Sequence, residues 1–274
     1  MSAGPELRRA VVAASHDLAA RGWVANHDGN ITARAGRARF LATPTATAKA
    51  RVSERLLLEV DDGGARVAGN TRPFGELNLH LAVYHERQDV GAVVHAHPPY
   101  ATALASSGNN LVERPFIAEA VISVGPWIPL VPFSLPGKQA ADALSPYIGD
   151  VDVLLLENHG VLAWGRDVEQ AFLRLELAEH LARIATLAEA SGGVKPLSAD
   201  NLRTLAKKRA ASGLGAAADR AERVVDRALA AGRAPAPESS PKAAPPATEA
   251  GSAVGREELT AVIKEELVRA LKGP

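Results

Sequence analysis

The chain has 274 residues, 31 basic side chains against 31 acidic, a formal net charge of zero and no cysteine. Disulfides and thiolate metal sites are therefore excluded, no basic excess marks a nucleic-acid partner, and any metal must be held by imidazole and carboxylate. An apolar fraction of 47% can fill a real core although aromatics supply only 4%, and no apolar run approaches membrane-spanning length, so a cytoplasmic protein without membrane contact is expected.

Residues 6–20 repeat apolar positions at helical spacing (Leu7, Val11, Val12, Leu18), are too charged for a signal peptide, and stop at Gly22. Asn26-His27-Asp28-Gly29-Asn30 is a run of turn formers leading into a strand at 31–34. Such a Gly-Asn turn can present backbone N–H groups to an anion, or serve as a plain helix-to-strand connection. Residues 39–43 and 56–60 read as strands separated by a polar loop, with a hairpin turn at 61–64. Residues 76–87 read as a helix with Leu77, Leu81 and Tyr84 on one face. Glu76 then sits in its first turn, where the helix dipole favours the ionised form, and His80 lies one turn on; either can face a site. A buried strand is expected at 90–95, and Pro98-Pro99 restarts the chain into a helix at 100–106. Strands at 130–133 and 151–156 flank a helix around 138–144, and 161–164 is the hairpin partner of the second. Asp167 is the expected N-cap of a long helix over 168–190. The pattern is a mostly antiparallel sheet flanked by helices, in an α/β or α+β layered domain.

His95 and His97 directly follow the apolar run at 91–94. In an extended strand residues i and i+2 face the same side, so both imidazoles can aim at one point with Ala96 turned away. His159 has a nearly identical setting, LLLENHG, after Leu154, Leu155 and Leu156. An H-x-H pair alone is more often ordinary hydrogen-bonded histidine. The third histidine, with Glu76 as a carboxylate, makes a set that suits a divalent metal, zinc first.

Composition changes after about residue 190. Residues 200–231 form an Ala/Arg-rich helical stretch with a weak apolar stripe, and 232–255 are rich in Pro, Ala and Ser and almost free of large apolar residues, as a linker is. Residues 256–272 return to helix, with Leu259, Ile263, Leu267 and Leu271 in one row. So short a helix needs a surface to bury that row, and it reads as a docking element.

Six segments taken together, GNITAR (29–34), LATPTATAKARVS (41–53), RPFGELNLH (72–80), AVVHAHPPYATA (92–103), PLVPFSLPG (129–137) and ENHGVLAWG (157–165), resemble the class II aldolase/adducin family over residues 1–215, with 216–231 as a helical extension. The resemblance implies a three-layer αβα fold, a homotetramer with sites at subunit interfaces, zinc or another divalent cation on His95, His97 and His159, and Glu76 as the catalytic acid or base. It implies a lyase that cuts a sugar or sugar phosphate through a metal-stabilised enediolate to an aldehyde such as lactaldehyde and a dihydroxyacetone (phosphate) fragment. An epimerase, dehydratase or decarboxylase would use the same logic, and a non-catalytic module such as adducin's head domain is the rival outside enzymes. The family's phosphate cradle falls on Gly29, Asn30, Thr45, Ala46, Phe74 and Gly75. Phe74 and Gly75 replace a Ser-Ser pair and Ala46 replaces a glycine, so a weakened grip on phosphate is expected. The aldolases' C-terminal tyrosine has no counterpart, since the tyrosines are Tyr84, Tyr100 and Tyr147. The tail resembles peptides that carry enzymes into bacterial microcompartments, which would make a shell protein the partner of 256–272; packing on its own oligomer is the alternative.

Overall fold

Alternating apolar residues build a single eight-stranded sheet, and the helices cover both of its faces. The structure is a computed structural model and describes residues 3–135 and 137–231. These fall in one compact unit, Met1–Arg233; the expected linker (232–255) and docking helix (256–272) lie outside the described residues.

Helix α1 (Pro5–Ala20) starts on a proline, whose missing N–H is no loss there, and gives way to Gly22 at a φ of 68°. Two hairpins follow, β1 (Asn30–Gly36) with β2 (Arg39–Ala42) and β3 (Leu58–Asp61) with β4 (Arg66–Ala68). Next come α2 (Leu77–Glu86), β5 (Ala92–Ala96), α3 (Pro99–Ser107), α4 (Ala118–Ser123), β6 (Leu130–Val131) and α5 (Lys138–Ile148). The β7–β8 hairpin (Val153–Leu156 and Gly160–Gly165) leads into α6 (Val168–Ala188), then α7 (Ala199–Ala210), α8 (Ala216–Asp219) and α9 (Ala221–Ala231). Asp167 caps α6 as expected, its Oδ1 accepting from Gln170 N at 2.8 Å.

Strand order is β4-β3-β2-β1-β5-β8-β7-β6, and only the β6–β7 pair is parallel. Period-2 alternation sorts the side chains into two cores. Ile31, Ala33, Ala92, Val94, Val153, Leu155, Val161 and Ala163 meet α1, α3 and α6 on one face. Val93, Leu154, Leu156, Leu162 and Trp164 meet α2, α5, α7 and α9 on the other. Each fully buried Val or Leu contributes about 1.5–3 kcal/mol, so this sandwich is the main source of stability.

Several expected boundaries shift for local reasons. The strand expected at 56–60 begins at Leu58 because Glu54–Leu56 forms a short 3-10 turn. The strand expected at 130–133 stops at Val131: Pro132 has no N–H to continue a ladder, and Phe133 N turns aside to donate to Glu157 Oε2 at 2.7 Å. The stretch 200–231 is three helices, broken where Gly213 and Gly215 take φ of 67° and 108°. The last of them buries Ala221, Val224, Val225 and Ala228 in the second core.

Just before β7, Asp152 is fully buried among three arginines. It accepts from Arg87 Nη2 at 3.0 Å and Arg209 Nη2 at 2.6 Å, and forms an ion pair with Arg174 Nη2 at 3.0 Å. Arg87 is also held by Asp89, through Nε and Nη2 at 2.8 Å each. The cluster ties α2, α6 and α7 to the start of the strand. No helix among the described residues is long and apolar enough to cross a membrane.

Candidate metal centre

Strand register puts the site together. Asn30 and His95 are opposite each other in the β1–β5 pair, and Leu162 of β8 is His95's other neighbour. His95 faces the α2 side of the sheet, and Glu76 stands at the N-cap position of α2. His97 follows two residues later, its backbone N–H donating to Trp23 O at 2.9 Å. His159 is delivered by the tight β7–β8 turn, where Asn158 adopts a left-handed φ of 55° and His159 N donates to Leu156 O at 3.0 Å. Gly160 makes room for this approach: a Cβ there would lie 2.6 Å from both Ala96 O and His97 Cδ2.

The three histidines each offer a nitrogen within 4.8 Å of the others, the only such group of metal-binding side chains among the described residues. His95 Nε2 and His97 Nε2 are 3.1 Å apart, and ring centroids lie 4.6–5.2 Å apart. His95 Nδ1 contacts Val161 O at 2.9 Å. A carbonyl only accepts, so Nδ1 carries the proton and Nε2 presents a bare lone pair. Asp28 Oδ2, 3.6 Å from His97 Nδ1, favours the same tautomer there. Two lone pairs aimed at each other repel unless a cation lies between them. Tetrahedral zinc with bonds of about 2.0–2.1 Å would set such nitrogens about 3.3 Å apart. The donor set therefore fits a divalent metal.

Glu76 closes the group, Oε1 lying 2.8 Å from His159 Nε2 and Oε2 lying 3.5 Å from His95 Nε2. Asn30 Nδ2 donates to Oε2 at 2.8 Å. Burial alone would raise this carboxyl's pKa, but the hydrogen bond to His159, the electrostatic pull of the His95 and His159 rings and the bond from Asn30 outweigh it. They hold Glu76 well below the usual carboxylate range. Burial pushes His95 down to about 3 and lowers His97 as well, so both stay neutral as ligands must be.

The remaining sequence candidates divide. Gly29, at φ 70°, is packed so that a Cβ would fall 2.5 Å from Val24 Cγ1 and 3.0 Å from His95 O. Asn30, expected to bind an anion, gives one N–H of its side-chain amide to Glu76. Thr45 and Ala46 form a turn, with Ala46 at a left-handed φ of 51°. Gly75 lines a small pocket with Glu76 and His159. Phe74 is packed in the second core, edge-on to His80 at 5.1 Å, because a benzyl side chain has more to gain there than at a polar cradle. His80 does not join the trio: its Nδ1 meets Thr32 Oγ1 at 2.8 Å, and Thr32 Oγ1 meets Tyr84 OH at 3.0 Å.

Lys49 was not singled out from the sequence and belongs here. It is 2% exposed, and its Nζ donates to His27 O at 3.1 Å and Thr47 O at 3.0 Å. Its one sequence signal is that the segment 43–53 contains no acid to pair with it.

Beside Glu76 and His159 a cavity of about 180 Å³ is walled mainly by apolar residues, among them Leu79, Val131, Phe133 and Leu156. A larger groove between α2 and α5 holds none of the site residues.

Residues 9–186 match the family described as class II aldolase and adducin N-terminal domain. The chain is 35% identical to the 5-deoxy-D-ribulose 1-phosphate aldolase of Bacillus thuringiensis over 154 residues, 56% of this chain and 70% of that one. It is 31% identical to the methylthioribulose-1-phosphate dehydratase of Acidiphilium cryptum over 182 residues, 63% and 86% of the two chains. The solved structure of Escherichia coli YgbL, described as an aldolase/epimerase/decarboxylase, is similar at a TM-score of 0.68 and 28% identity, covering 74% of this chain and 98% of that one.

Proposed function

The chain belongs to the class II aldolase and adducin family, and from that premise we propose that it is a metal-dependent aldehyde-lyase making a retro-aldol cut in a sugar or sugar phosphate. One observation carries the reading: an ionised carboxylate, Glu76, lies 2.8 Å from one histidine of a three-histidine metal-type group and 3.5 Å from another. A divalent cation held by His95, His97 and His159, zinc first, would supply Lewis-acid stabilisation for the negative charge that develops on the substrate oxygens as the C–C bond breaks.

The chain's own groups do the rest. Glu76, kept ionised, accepts through Oε1 or Oε2 the proton of the hydroxyl on the carbon that becomes the aldehyde. The C–C electron pair passes to the ketose half, and a proton returned to that half completes the cleavage. Asn30 fixes the carboxylate through Oε2, and Val161 O fixes the ring of His95. The apolar cavity next to Glu76 suits an aldehyde that ends in carbon rather than hydroxyl, as lactaldehyde does. The reading includes a homotetramer; Phe133, which lines that cavity, and Leu135 stand 57% and 64% exposed and offer apolar surface to a second copy.

Product analysis with added zinc, manganese or cobalt tests this. The expected outcome is an aldehyde and a three-carbon ketone fragment from a ketose 1-phosphate. Release of water or carbon dioxide instead would move the chain to a dehydratase or decarboxylase, and a metal content near zero in the purified protein would sink the enzymatic reading.

A further inference from the structure

The cavity beside Glu76 and His159 is apolar along most of its wall, but a second carboxylate, that of Glu157, opens onto it. Glu157 lies between the end of β7 and the turn that delivers His159, and the cleavage step makes no use of it. Its backbone N–H donates to Val131 O at 3.0 Å, and its Oε2 accepts from Phe133 N at 2.7 Å. Both bonds tie it to β6 and the residues after it, which form part of the same wall. Oε1 has no protein partner among the described residues.

A charge at the wall of an apolar cavity is costly unless a partner of opposite sign meets it. Here the lining contains no lysine and no arginine; Glu76 and Glu157 share it with Leu79, Val131, Phe133 and Leu156. The bond to Phe133 N does not call for a charge either, because a neutral amide oxygen accepts from a backbone N–H as a carboxylate does. The clamp thus accounts for one oxygen of Glu157 and leaves its charge without a use inside the protein. That charge borders the space into which one half of the substrate must go.

We propose that Glu157 is a specificity-determining residue, which admits a substrate whose far end is uncharged and carries a hydroxyl, and turns away one that ends in an acid. Two effects act together. Oε1 accepts a hydrogen bond from the hydroxyl, and a like charge in a small apolar cavity repels a carboxylate. A repulsive group of this kind lets a site separate ligands of nearly equal size. The proposal rests on the reading of Glu76 and the three histidines as the reacting centre, and it narrows that reading. A keto acid, the type of substrate that a decarboxylase takes, would meet Glu157 if its acid group entered this cavity.

The probes are two sugars, a ketohexose 1-phosphate that ends in a methyl group and the same sugar ending in a carboxylate. Affinity is measured by calorimetry on the metal-loaded, full-length Glu76→Gln form, in which turnover is stopped. With Glu157 in place the methyl-ended sugar should bind about ten-fold or more tightly than the acid-ended one. Adding Glu157→Gln, which keeps an oxygen for Phe133 N and for a hydroxyl but removes the charge, should bring the two within about three-fold. Glu157→Asp keeps the charge and shortens the reach to Phe133 N, and it should preserve most of the discrimination. A residue that only clamps the Phe133 segment would show the reverse, surviving as glutamine and failing as aspartate. Metal content and melting temperature confirm that each form is folded. Equal affinity for the two sugars with Glu157 in place, a ratio that glutamine leaves unchanged, or binding of neither sugar overturns the proposal. The products that the protein with Glu76 intact makes from the methyl-ended sugar test the aldolase reading separately. Release of water with the Glu157-dependent ratio intact removes the retro-aldol step and keeps the role of Glu157, whereas release of aldehyde without that ratio does the opposite.

Discussion

Strand β7 has a cluster of ionisable groups near each end, and the two are built on opposite principles. At its start Asp152 is surrounded by Arg87, Arg174 and Arg209, every guanidinium within ion-pair distance of it. Opposite charges meet, and helices that are distant in sequence become locked to the sheet. At its far end His95, His97 and His159 crowd together, two of their Nε2 atoms 3.1 Å apart, with one carboxylate for company. Like groups meet, and nothing within the protein explains why they should. The first cluster is complete in itself. The second is a donor set that a divalent metal would fit, which is how a candidate binding site differs from a brace.

The largest expected effect comes from cutting the second cluster. His97→Ala should abolish stoichiometric metal and lower kcat/KM by about 10³-fold or more, because Lewis-acid stabilisation is worth several kcal/mol. The melting temperature of the metal-free protein should stay level or rise. Metal analysis with a chelated melting curve checks both, and a large loss of metal-free stability would mean that the histidines are themselves a brace.

The opposite pattern is expected at the other end. Asp152→Asn removes the negative charge and leaves three guanidiniums facing one another, which should cost about 3–5 kcal/mol in urea unfolding. Metal stoichiometry and kcat of the folded fraction should be unchanged. A variant that stayed stable and lost turnover would show that the two ends of β7 cannot be treated separately.

These two clusters also differ in how far the sequence revealed them. The metal group was legible because each part is local: His95 and His97 share a face by strand alternation, and His159 follows a second apolar run. The layered sheet was legible for the same reason, since period-2 and helical periodicity are short-range signals. The arginine cluster was not, because Asp152 meets partners 65 residues before it and 57 after it, and no local pattern encodes such a meeting. The contact of Asn30 with Glu76 was not legible either, since it arises only once β1 lies beside β5. Phe74 was placed at the cradle by position in a motif, while its ring follows the hydrophobic effect into the core. Lys49 carried no sequence signal beyond the absence of acids around it.

A third, smaller effect separates His80 from the metal group. Burial pushes His80 down to about 3, and its Nε2 is buried with no partner to receive a proton. The folded state therefore keeps it neutral, while an unfolded histidine takes up a proton near its ordinary value of about 6.5. Between those limits the unfolded chain binds more protons, so stability is full above about pH 6.5 and declines as pH falls toward 3. His95, which burial also pushes down to about 3, adds to the same slope once metal is chelated, and Glu76, with its folded pKa held down, adds a loss in the same direction at the acid end of that range, so the His80→Phe comparison isolates the His80 share. A chelated protein whose unfolding free energy stayed flat from pH 6.5 to 4.5, or whose His80→Phe variant showed the same slope, would remove His80 from this account.

The smallest effect lies in the turn that Lys49 supports. Ala46 adopts a φ of 51°, a conformation that a Cβ disfavours and glycine accepts freely. Ala46→Gly relieves that strain in the folded state but also frees the unfolded chain, and the second effect offsets part of the first. The balance should be a gain of about 0.5–1 kcal/mol in unfolding free energy, with no change in metal content. Phosphate affinity is the sharper readout. If alanine is tolerated because the turn is already held by Thr45 N to Arg72 O at 3.0 Å and by Lys49 to Thr47 O at 3.0 Å, phosphate should bind Ala46→Gly as tightly as wild type. A tenfold gain on introducing glycine would mean instead that the Ala46 turn is strained away from its binding shape.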